Sequence, residues 1–297
     1  MARVSITAAG QTARMNGVKT LLITGTSSGL GLAAAVAAAR DGWHTVATMR
    51  DPTRDGALRD AAATAGVQDR IQVARLDVTD SSSVDACIEG VIADRGRLDA
   101  VVNNAGSGHV GTIEQETLED VRAVMEVNFF GVVRVTQAAL PHLRESGGRL
   151  VTISSVGGVV GQPFNEAYCA AKFAVEGFME ALAPVAAATG VSVTVIEPGA
   201  VSSEFVANVG DSLTNAQGNP GPYARPLEAY LNRTRAAFST GAAQTPDEAA
   251  ATIIEALAVD APPFRMQTSA LARNFVGTKL ADLDGSAVVG LTRQWIV

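Results

Sequence analysis

The sequence predicts an α/β fold, a Rossmann-type doubly wound parallel sheet of six or seven strands within a single domain. From Val18 onward, short β-rich apolar runs alternate with longer stretches of helical pattern, which is typical of repeated strand–helix–strand units. The apolar runs are almost continuous, as expected for strands that helices cover on both faces. The length of 297 residues fits one large α/β unit, since such folds often reach about 250 residues.

Seven apolar runs are candidates for the strands, the last of them the weakest. In chain order they are residues 19–24, 45–48, 71–76, 100–102, 149–153, 191–197 and 264–267. The stretches between them carry the spacing of amphipathic or buried helices. These helices are predicted at residues 31–40, 57–65, 83–95, 117–144, 167–187 and 246–259. Residues 202–245 are irregular and rich in glycine and proline, and so long a loop is usually functional. We therefore expect a substrate lid there.

Composition narrows the possible functions. The chain is 47% hydrophobic and 18% charged, which excludes intrinsic disorder. Its formal net charge of −7 offers no basic field for nucleic acid or an anionic membrane surface. Cys87 and Cys169 are the only cysteines, and the three histidines show no ligand spacing, so neither a disulfide scaffold nor a metal site is expected. No signal sequence or membrane-spanning run is apparent, so we expect a cytoplasmic protein. Residues 1–17 are patternless and are predicted to be a disordered extension of the domain 18–297.

A glycine-rich turn follows the first predicted strand. It reads Thr24-Gly25-Thr26-Ser27-Ser28-Gly29-Leu30-Gly31 and continues into an alanine-rich helix. In this context glycines let the backbone approach a pyrophosphate, whose charge the helix N-terminus stabilises. The Gly-x3-Gly-x-Gly spacing departs from the common G-x-G-x-x-G, so a plain tight turn is the alternative.

The same turn also spells G-x-S-x-G, the pattern of a hydrolase nucleophile elbow around Ser27. Hydrolases of that fold need an acid and then a histidine later in the chain. No histidine follows His142, and none has an evident aspartate partner near a strand end. The dinucleotide interpretation is therefore preferred.

A tyrosine and a lysine stand four residues apart in one predicted helix. Tyr168 and Lys172 therefore lie on the same helix face, with Cβ atoms about 5–6 Å apart. A nearby ammonium favours the phenolate, so a tyrosine general acid/base is plausible. Lys172 is one of three lysines in the chain, which otherwise uses arginine. A Tyr-x3-Lys pair alone is common on solvated helices.

Other polar residues follow predicted strands or interrupt apolar helices. Ser154 and Ser155 end one strand, and Asn103 and Asn104 end another, at the sheet edge where open α/β folds bind ligands. Asn128 stands among apolar helical neighbours, where an amide needs partners or a bound water.

Taken together, these motifs resemble those of the short-chain dehydrogenase/reductase family over about residues 18–199. The tail from Pro262 to Trp295, with Phe264-Arg265-Met266 and Lys279-Leu280-Ala281-Asp282, is similar to the 17β-hydroxysteroid and retinol dehydrogenase-like branch of that family. The resemblance implies that Tyr168 is the general acid/base, that Ser155 polarises the carbonyl and that Asn128 supports a proton-relay water. It also implies that Lys172 holds the nicotinamide ribose and lowers the pKa of Tyr168. The other implied cofactor contacts are Gly25, Ser27, Ser28, Gly29, Leu30, Gly31, Asp77, Val78, Asn104, Ala105, Gly106, Pro198, Gly199, Val201 and Ser203. Ser203 stands where the family often has threonine.

The end of the second strand predicts the choice of cofactor. An acidic residue there accepts from the ribose 2′-hydroxyl of NAD, whereas an arginine accommodates the 2′-phosphate of NADP. Met49 occupies the acid's position and Arg50 follows it, so NADP(H) is favoured and NAD(H) is the alternative. Asp51 could also be the acid, but Pro52 after it favours a helix cap.

We therefore expect an NAD(P)-dependent alcohol dehydrogenase or carbonyl reductase acting on a bulky apolar substrate. The alternatives are a lyase or epimerase of the same fold and a non-catalytic dinucleotide-binding regulator. The family resemblance also implies a homodimer or homotetramer, assembled through the helices predicted at 117–144 and 167–187.

Overall fold

The computed structural model describes residues 17–202, 210–218, 220–239, 243–281, 291 and 294. Residues 1–16 of the predicted extension lie outside this range, as do several residues of the predicted lid. The strands are β1 (Thr20–Thr24), β2 (His44–Met49), β3 (Ile71–Arg75), β4 (Ala100–Asn103), β5 (Arg149–Ile153), β6 (Ser192–Glu197) and β7 (Arg265–Gln267). They form one parallel sheet in the order β3-β2-β1-β4-β5-β6-β7. This order confirms the doubly wound fold and the seventh strand.

Helices cover both faces of the sheet. They are α1 (Gly29–Arg40), α2 (Gly56–Ala65), α3 (Ser81–Arg95), α4 (Leu118–Met125), α5 (Gly131–Ser146), α6 (Glu166–Ala187), α7 (Gly210–Gly218), α8 (Ala224–Ser239), α9 (Pro246–Ala258) and α10 (Ala270–Leu280). Helices α1 and α9 share one apolar core with the sheet, and α3, α5 and α6 share the core on its other face. Small residues on α1, among them Ala34 and Ala38, let α9 approach closely.

Two predicted segments differ from the structure. The helix predicted at 117–144 contains a π-helical turn, Glu126–Phe130, between α4 and α5. The irregular lid predicted at 202–245 instead contains α7 and α8, because helix-forming residues outnumber the punctuating glycines and prolines there. Residues 203–209, 219 and 240–242 of this segment lie outside the described residues.

The helical stretch Leu118–Ser146 is long and apolar enough to qualify as a membrane span by length and composition, with a hydropathy of 1.2 over its best window. It is not an uninterrupted apolar run, because charged residues such as Glu126 and Arg134 lie within it. Buried core residues such as Val135 and Leu143 place it against the sheet, as a core helix would lie. About 39% of its most apolar 18-residue segment is buried inside the protein.

Candidate active site

The glycine turn after β1 is shaped by backbone that tolerates no side chain. Gly25 and Gly29 have φ angles of +71° and +58°, in the left-handed region that favours glycine. A Cβ on Gly31 would lie 2.2 Å from the Gly25 carbonyl oxygen and 2.3 Å from Asn104 Nδ2. The turn therefore packs directly on the backbone, as the predicted phosphate loop requires.

Side chains at the ends of β1 and β4 hold this turn in place. Asn104 Nδ2 donates to the carbonyl oxygens of Thr24 (2.8 Å) and Gly25 (2.9 Å). In return, Thr24 Oγ1 accepts from the backbone N–H groups of Asn104 and Ala105, both at 2.9 Å. Asn104 is thus a brace for the loop as well as a predicted lining residue of the cleft.

The N-terminus of α1 is suited to an anion. Ser28 occupies the N-cap position, but its side chain makes no capping hydrogen bond. Ser27, Ser28 and Leu30 are partly exposed around this end of the helix. The first N–H groups of a helix have no partner within the helix and attract negative charge. With the three glycines Gly25, Gly29 and Gly31 beside it, this arrangement fits the pyrophosphate of a dinucleotide.

The predicted adenine residues lie just after β3. Asp77 is partly buried, and its Oδ1 accepts from the backbone N–H (3.0 Å) and hydroxyl (2.8 Å) of Thr79. Val78 is buried and packs so closely on Gly131 that a Cβ there would lie 2.8 Å from Val78 Cγ2. The pair offers one polar group and one apolar surface at the carboxyl edge of the sheet.

Arg50 and Asp51, at the end of β2, differ in the hydrogen bonds that their side chains make. Asp51 caps a short 3₁₀ turn, accepting from the Thr53 backbone N–H at 3.0 Å and hydroxyl at 2.7 Å. These hydrogen bonds lower the pKa of Asp51. Arg50 is exposed and makes no hydrogen bond or ion pair within the described part of the chain. Asp51 therefore has the capping role predicted for it.

The predicted catalytic residues converge at the carboxyl end of β5. Ser155 follows this strand, and its Oγ accepts from the Gly157 N–H at 3.0 Å. The Tyr168 hydroxyl hydrogen-bonds with Ser155. One turn further along α6, Lys172 is 4% exposed, donates to the Ile153 carbonyl at 2.9 Å and lies 5.9 Å from the centre of the Tyr168 ring. Tyrosine, serine and lysine thus meet in one place, as the motif spacing predicts.

Burial controls the protonation of this group. It raises the pKa of Tyr168 to about 12, against the opposing effect of the hydrogen bond with Ser155. It also lowers the pKa of Lys172 to about 8, while the Glu176 carboxylate acts to raise it. The family resemblance implies that Lys172 lowers the pKa of Tyr168, whereas burial is the largest influence on the phenol here and raises it.

Asn128 is fully buried in the π-helical turn between α4 and α5. Its Nδ2 donates to the carbonyl oxygens of Ser107 and Val124, both at 3.0 Å, and its Oδ1 accepts from the Ser107 N–H at 3.2 Å. The side chain is therefore occupied in fixing the loop after β4. Such π turns are frequent at functional sites.

The remaining predicted cofactor residues line the same edge. A Cβ on Gly106 would lie 2.8 Å from Asn128 Oδ1 and 3.7 Å from Lys172 Nζ. The Pro198 carbonyl, after β6, accepts from the Val156 N–H at 3.0 Å, which ties this segment to the one carrying Ser155. Gly199 is partly exposed, and Val201 forms an isolated bridge with Gln244. Ser203 lies outside the described residues.

Sequence reasoning missed several residues of this region. Thr24 braces the turn, and the Ser107 carbonyl accepts a hydrogen bond from Asn128. Behind Lys172 there is a charged group of Glu176, Glu197 and Arg265. The four-residue step from Lys172 to Glu176 was visible in the sequence. The long-range contacts of Arg265 had no local signal.

The histidines lie away from the glycine turn. His44 is bonded with Gln72, His109 with Glu116, and His142 lies nearest Glu145. None is placed to activate Ser27 as a hydrolase would require. Among the described residues there is no group of three or more His, Cys, Asp or Glu side chains placed to hold a metal ion.

A glycine-rich turn at a helix N-terminus, next to a tyrosine, serine and lysine group, defines a dinucleotide-dependent oxidoreductase. Residues 19–214 match the short chain dehydrogenase family. Bovine (Bos taurus) retinol dehydrogenase 8 is 37% identical over 278 residues, 91% of this chain and 88% of the relative. Human (Homo sapiens) 17-beta-hydroxysteroid dehydrogenase type 1 is 38% identical over 275 residues, 91% and 83% of the two chains.

Solved structures agree. A short-chain dehydrogenase from Streptomyces avermitilis superposes with a TM-score of 0.71 at 32% identity, covering 93% of this chain and 97% of that one. An alcohol dehydrogenase from Thermococcus sibiricus, complexed with 5-hydroxy-NADP, gives 0.68 at 26% identity, covering 84% and 95%. The chain belongs to the short-chain dehydrogenase family and is an oxidoreductase that uses a nicotinamide dinucleotide.

Proposed function

We propose that this chain interconverts a bulky apolar alcohol with its ketone or aldehyde, with Tyr168 as the proton donor and acceptor. The observation that carries the proposal is the hydrogen bond between Tyr168 and Ser155, one helical turn from the buried Lys172. When bound, the dinucleotide supplies the hydride donor or acceptor.

The chain's own residues position that cofactor. The turn from Gly25 to Gly31 and the N-terminus of α1 would hold the pyrophosphate, and Asp77 and Val78 would flank the adenine. Lys172 would bind the nicotinamide ribose, with Asn104, Ala105, Gly106, Pro198, Gly199 and Val201 lining the cleft.

Ser155 is oriented to assist the carbonyl. Its Oγ accepts from the Gly157 N–H, and its hydroxyl donates in the hydrogen bond with Tyr168, which acts to lower the pKa of the phenol. A substrate oxygen placed between Ser155 and Tyr168 would receive a hydrogen bond from each side chain. These donors stabilise the negative charge that develops on the oxygen in the transition state.

The protonation state of Tyr168 favours donation. With its pKa raised to about 12 by burial, the phenol is protonated at neutral pH and can give its proton to a developing alkoxide. The reverse reaction requires the phenolate, which a protonated Lys172 beside it would stabilise.

Apolar residues beside this site support a bulky substrate. Val110, Phe164, Leu227 and Tyr230 form one buried cluster that joins the loop after β4, the segment before α6 and helix α8. The residues 202–245 would act as the lid. The retinol and hydroxysteroid dehydrogenases among the relatives are named after bulky, largely apolar alcohols, which agrees with an apolar cluster beside the site.

NADP(H) is the cofactor we favour, with NAD(H) as the alternative. Asp51 is engaged in its capping turn, which leaves the exposed Arg50 as the group at the end of β2 that could receive a 2′-phosphate. The guanidinium is suited to this task because it offers several donors in a fixed geometry.

We also propose that the chain forms a homodimer or homotetramer in the cytoplasm. Phe130 and Phe173 on the helical faces are 45% and 37% exposed, and both cysteines are free. A single sedimenting species at the monomer mass, at micromolar concentration, would contradict the assembly.

The test of the function is NADPH and NADH oxidation against a panel of steroid, retinoid, aromatic and aliphatic ketones. Tyr168→Phe should lower kcat by about 10²–10⁴-fold or more while cofactor affinity stays nearly unchanged. Tyr223→Phe is the control: it removes the hydroxyl that bonds Glu114 from a partly buried tyrosine and keeps its ring in place against the apolar cluster. Activity of Tyr168→Phe within about threefold of the control would contradict the assignment, because general acid/base groups contribute far more. Substrate conversion without net cofactor oxidation would indicate a lyase or epimerase, and binding without turnover a regulator.

A further inference from the structure

A charged group lies behind the catalytic lysine, on the side away from Tyr168. It consists of Glu176 and Glu180 on α6, Glu197 at the end of β6 and Arg265 at the start of β7, and we call it the charge cluster. Arg265 Nε lies 3.2 Å from Glu176 Oε2 and 3.3 Å from Glu197 Oε1, and its Nη2 lies 2.6 Å from Glu180 Oε2. One guanidinium therefore holds three carboxylates from two different elements.

Two of these carboxylates are buried. Glu197 is 0% and Glu176 4% exposed, whereas the Glu180 side chain is 60% exposed. Buried carboxylates are costly unless cations and hydrogen bonds compensate them. Arg265 supplies one positive charge, and Gln267 Nε2 donates to Glu197 Oε2 at 2.8 Å. Burial raises the pKa of both Glu176 and Glu197, and they face one guanidinium, so a second cation nearby would stabilise their ionised forms.

Lys172 is the cation placed to supply it. Tyr168, Lys172 and Glu176 follow one another at four-residue steps on α6, so the three side chains form one stripe on the helix. Gly158 separates the stripe from β5: a Cβ there would lie 2.4 Å from Ser154 Oγ and 3.1 Å from Glu176 Cγ. Lys172 therefore stands one helical turn from Tyr168 and one turn from Glu176, while its Nζ donates to the Ile153 carbonyl.

We propose that Glu176, clamped by Arg265, is a positioning residue that holds Lys172 as an ammonium beside Tyr168. The proposal rests on the proposed function, in which a protonated Lys172 binds the ribose and supports Tyr168. It adds a residue outside the tyrosine, serine, lysine and asparagine set.

The groups around each partner agree with this role. Lys172 is faced by Tyr168 and Glu176 on its own helix, by the Ile153 carbonyl at the end of β5 and by Gly106 after β4. Glu176 is faced by Arg265, Glu180, Glu197 and the Ser154 hydroxyl. Burial lowers the pKa of Lys172 to about 8, and Glu176 is the charged group that raises it. Without this carboxylate the lysine would lose its proton closer to neutral pH.

The direct test is a titration of Lys172 by NMR in the ligand-free protein. The chain has three lysines, so selective ¹³C labelling gives few signals, and Lys172→Met assigns the one of interest. Glu176→Gln should move the Lys172 midpoint down by about one pH unit, the lower end of the shift typical of a close opposite charge. Glu176→Asp should stay nearer to the wild type than Glu176→Gln does.

Glu180→Gln is the matched control. It removes a carboxylate from the same Arg265 through an exposed side chain, so it should leave the Lys172 midpoint in place. An unchanged midpoint in Glu176→Gln, or an equal shift in Glu180→Gln, would overturn the proposal. If Glu176→Gln does not fold, the wild-type titration decides, because a Lys172 midpoint below pH 7 would mean a neutral lysine beside Glu176.

The functional consequence is measured separately. The alkaline limb of kcat/KM for ketone reduction, and the pH dependence of NADPH affinity, should both move down with Glu176→Gln by the shift seen in the titration. If the wild type reduces no ketone, or Tyr168→Phe remains active, the proposed function fails while the lysine titration still decides the inference.

Discussion

The two halves of the sheet build their parts of the site from different chemistry. Around the glycine turn after β1 the contacts are between uncharged groups, with Thr24 and Asn104 bracing the turn and Thr26 bonding the Thr48 carbonyl at 3.1 Å. Behind the ends of β5, β6 and β7 the buried residues include Lys172, Glu176 and Glu197.

This difference separates shape from charge. The cofactor-binding half depends on close backbone contacts at glycines. It should therefore be most sensitive to substitutions that add a methyl group where there is no space for one. The catalytic half depends on which groups hold protons, so its properties should change with pH. Three predictions test this contrast.

The largest effect is expected in the cofactor-binding half, from Gly31→Ala. The new Cβ would lie 2.2 Å from the Gly25 carbonyl oxygen and 2.3 Å from Asn104 Nδ2, so the turn and its brace must both move. Overpacking of this kind costs about 1–3 kcal/mol or more, and we expect about 3 kcal/mol with loss of dinucleotide binding. Chemical denaturation and cofactor titration measure the two effects.

Gly90→Ala is the control for that variant. Gly90 lies in α3 with nothing within 4 Å of its added Cβ, so alanine should be neutral or stabilise the protein by up to about 1 kcal/mol through helix propensity. Equal behaviour of the two variants would show that the turn is not sterically constrained.

In the catalytic half, Lys172 should make stability depend on pH with an unusual sign. Its pKa is lowered to about 8 in the folded chain, while an unfolded lysine titrates near 10.4. Between these values the unfolded state binds more protons, so the free energy of unfolding rises with pH. Relative to Lys172→Met, the wild type should gain up to about 3 kcal/mol between pH 7 and pH 10.5.

Urea denaturation over that pH range measures the gain, since groups other than Lys172 cancel between the two proteins. Lys279→Met, on an exposed side chain, is the control and should show no comparable rise. A flat difference between wild type and Lys172→Met would mean that Lys172 keeps its proton in the folded state to high pH.

The smallest effect is expected from Arg50→Ala, which removes an exposed positive charge from the cofactor-binding half. A charge-assisted hydrogen bond contributes about 1.5–3 kcal/mol, so NADP(H) affinity should fall about ten- to a hundredfold with little change for NAD(H). Arg59→Ala removes another exposed arginine, paired with Asp55, and should change neither affinity. A wild-type preference for NAD(H), or equal weakening of both cofactors, would point to Asp51 instead.

The sequence by itself determined the parts of this protein that depend on neighbours along the chain. Strand and helix periods predicted the seven-stranded sheet, and the four-residue step from Tyr168 to Lys172 placed both side chains on one face of α6. The glycine spacing of residues 25–31 predicted a turn that lets the backbone approach a phosphate, and in the structure Gly25 and Gly29 adopt left-handed backbone there. Helical and strand geometry is local, so its consequences can be derived without knowing the fold.

Only the tertiary structure decided what meets across the sheet. Pairing of β6 with β7 brings Glu197 beside Gln267, and thereby Arg265 to Glu176, 89 residues away in sequence. The same packing buries Lys172, partly buries Tyr168 and moves their pKa values in opposite directions. It also occupies the Asn128 amide with Ser107. Burial and long-range ion pairs depend on which elements pack together, and no residue pattern along the chain records that.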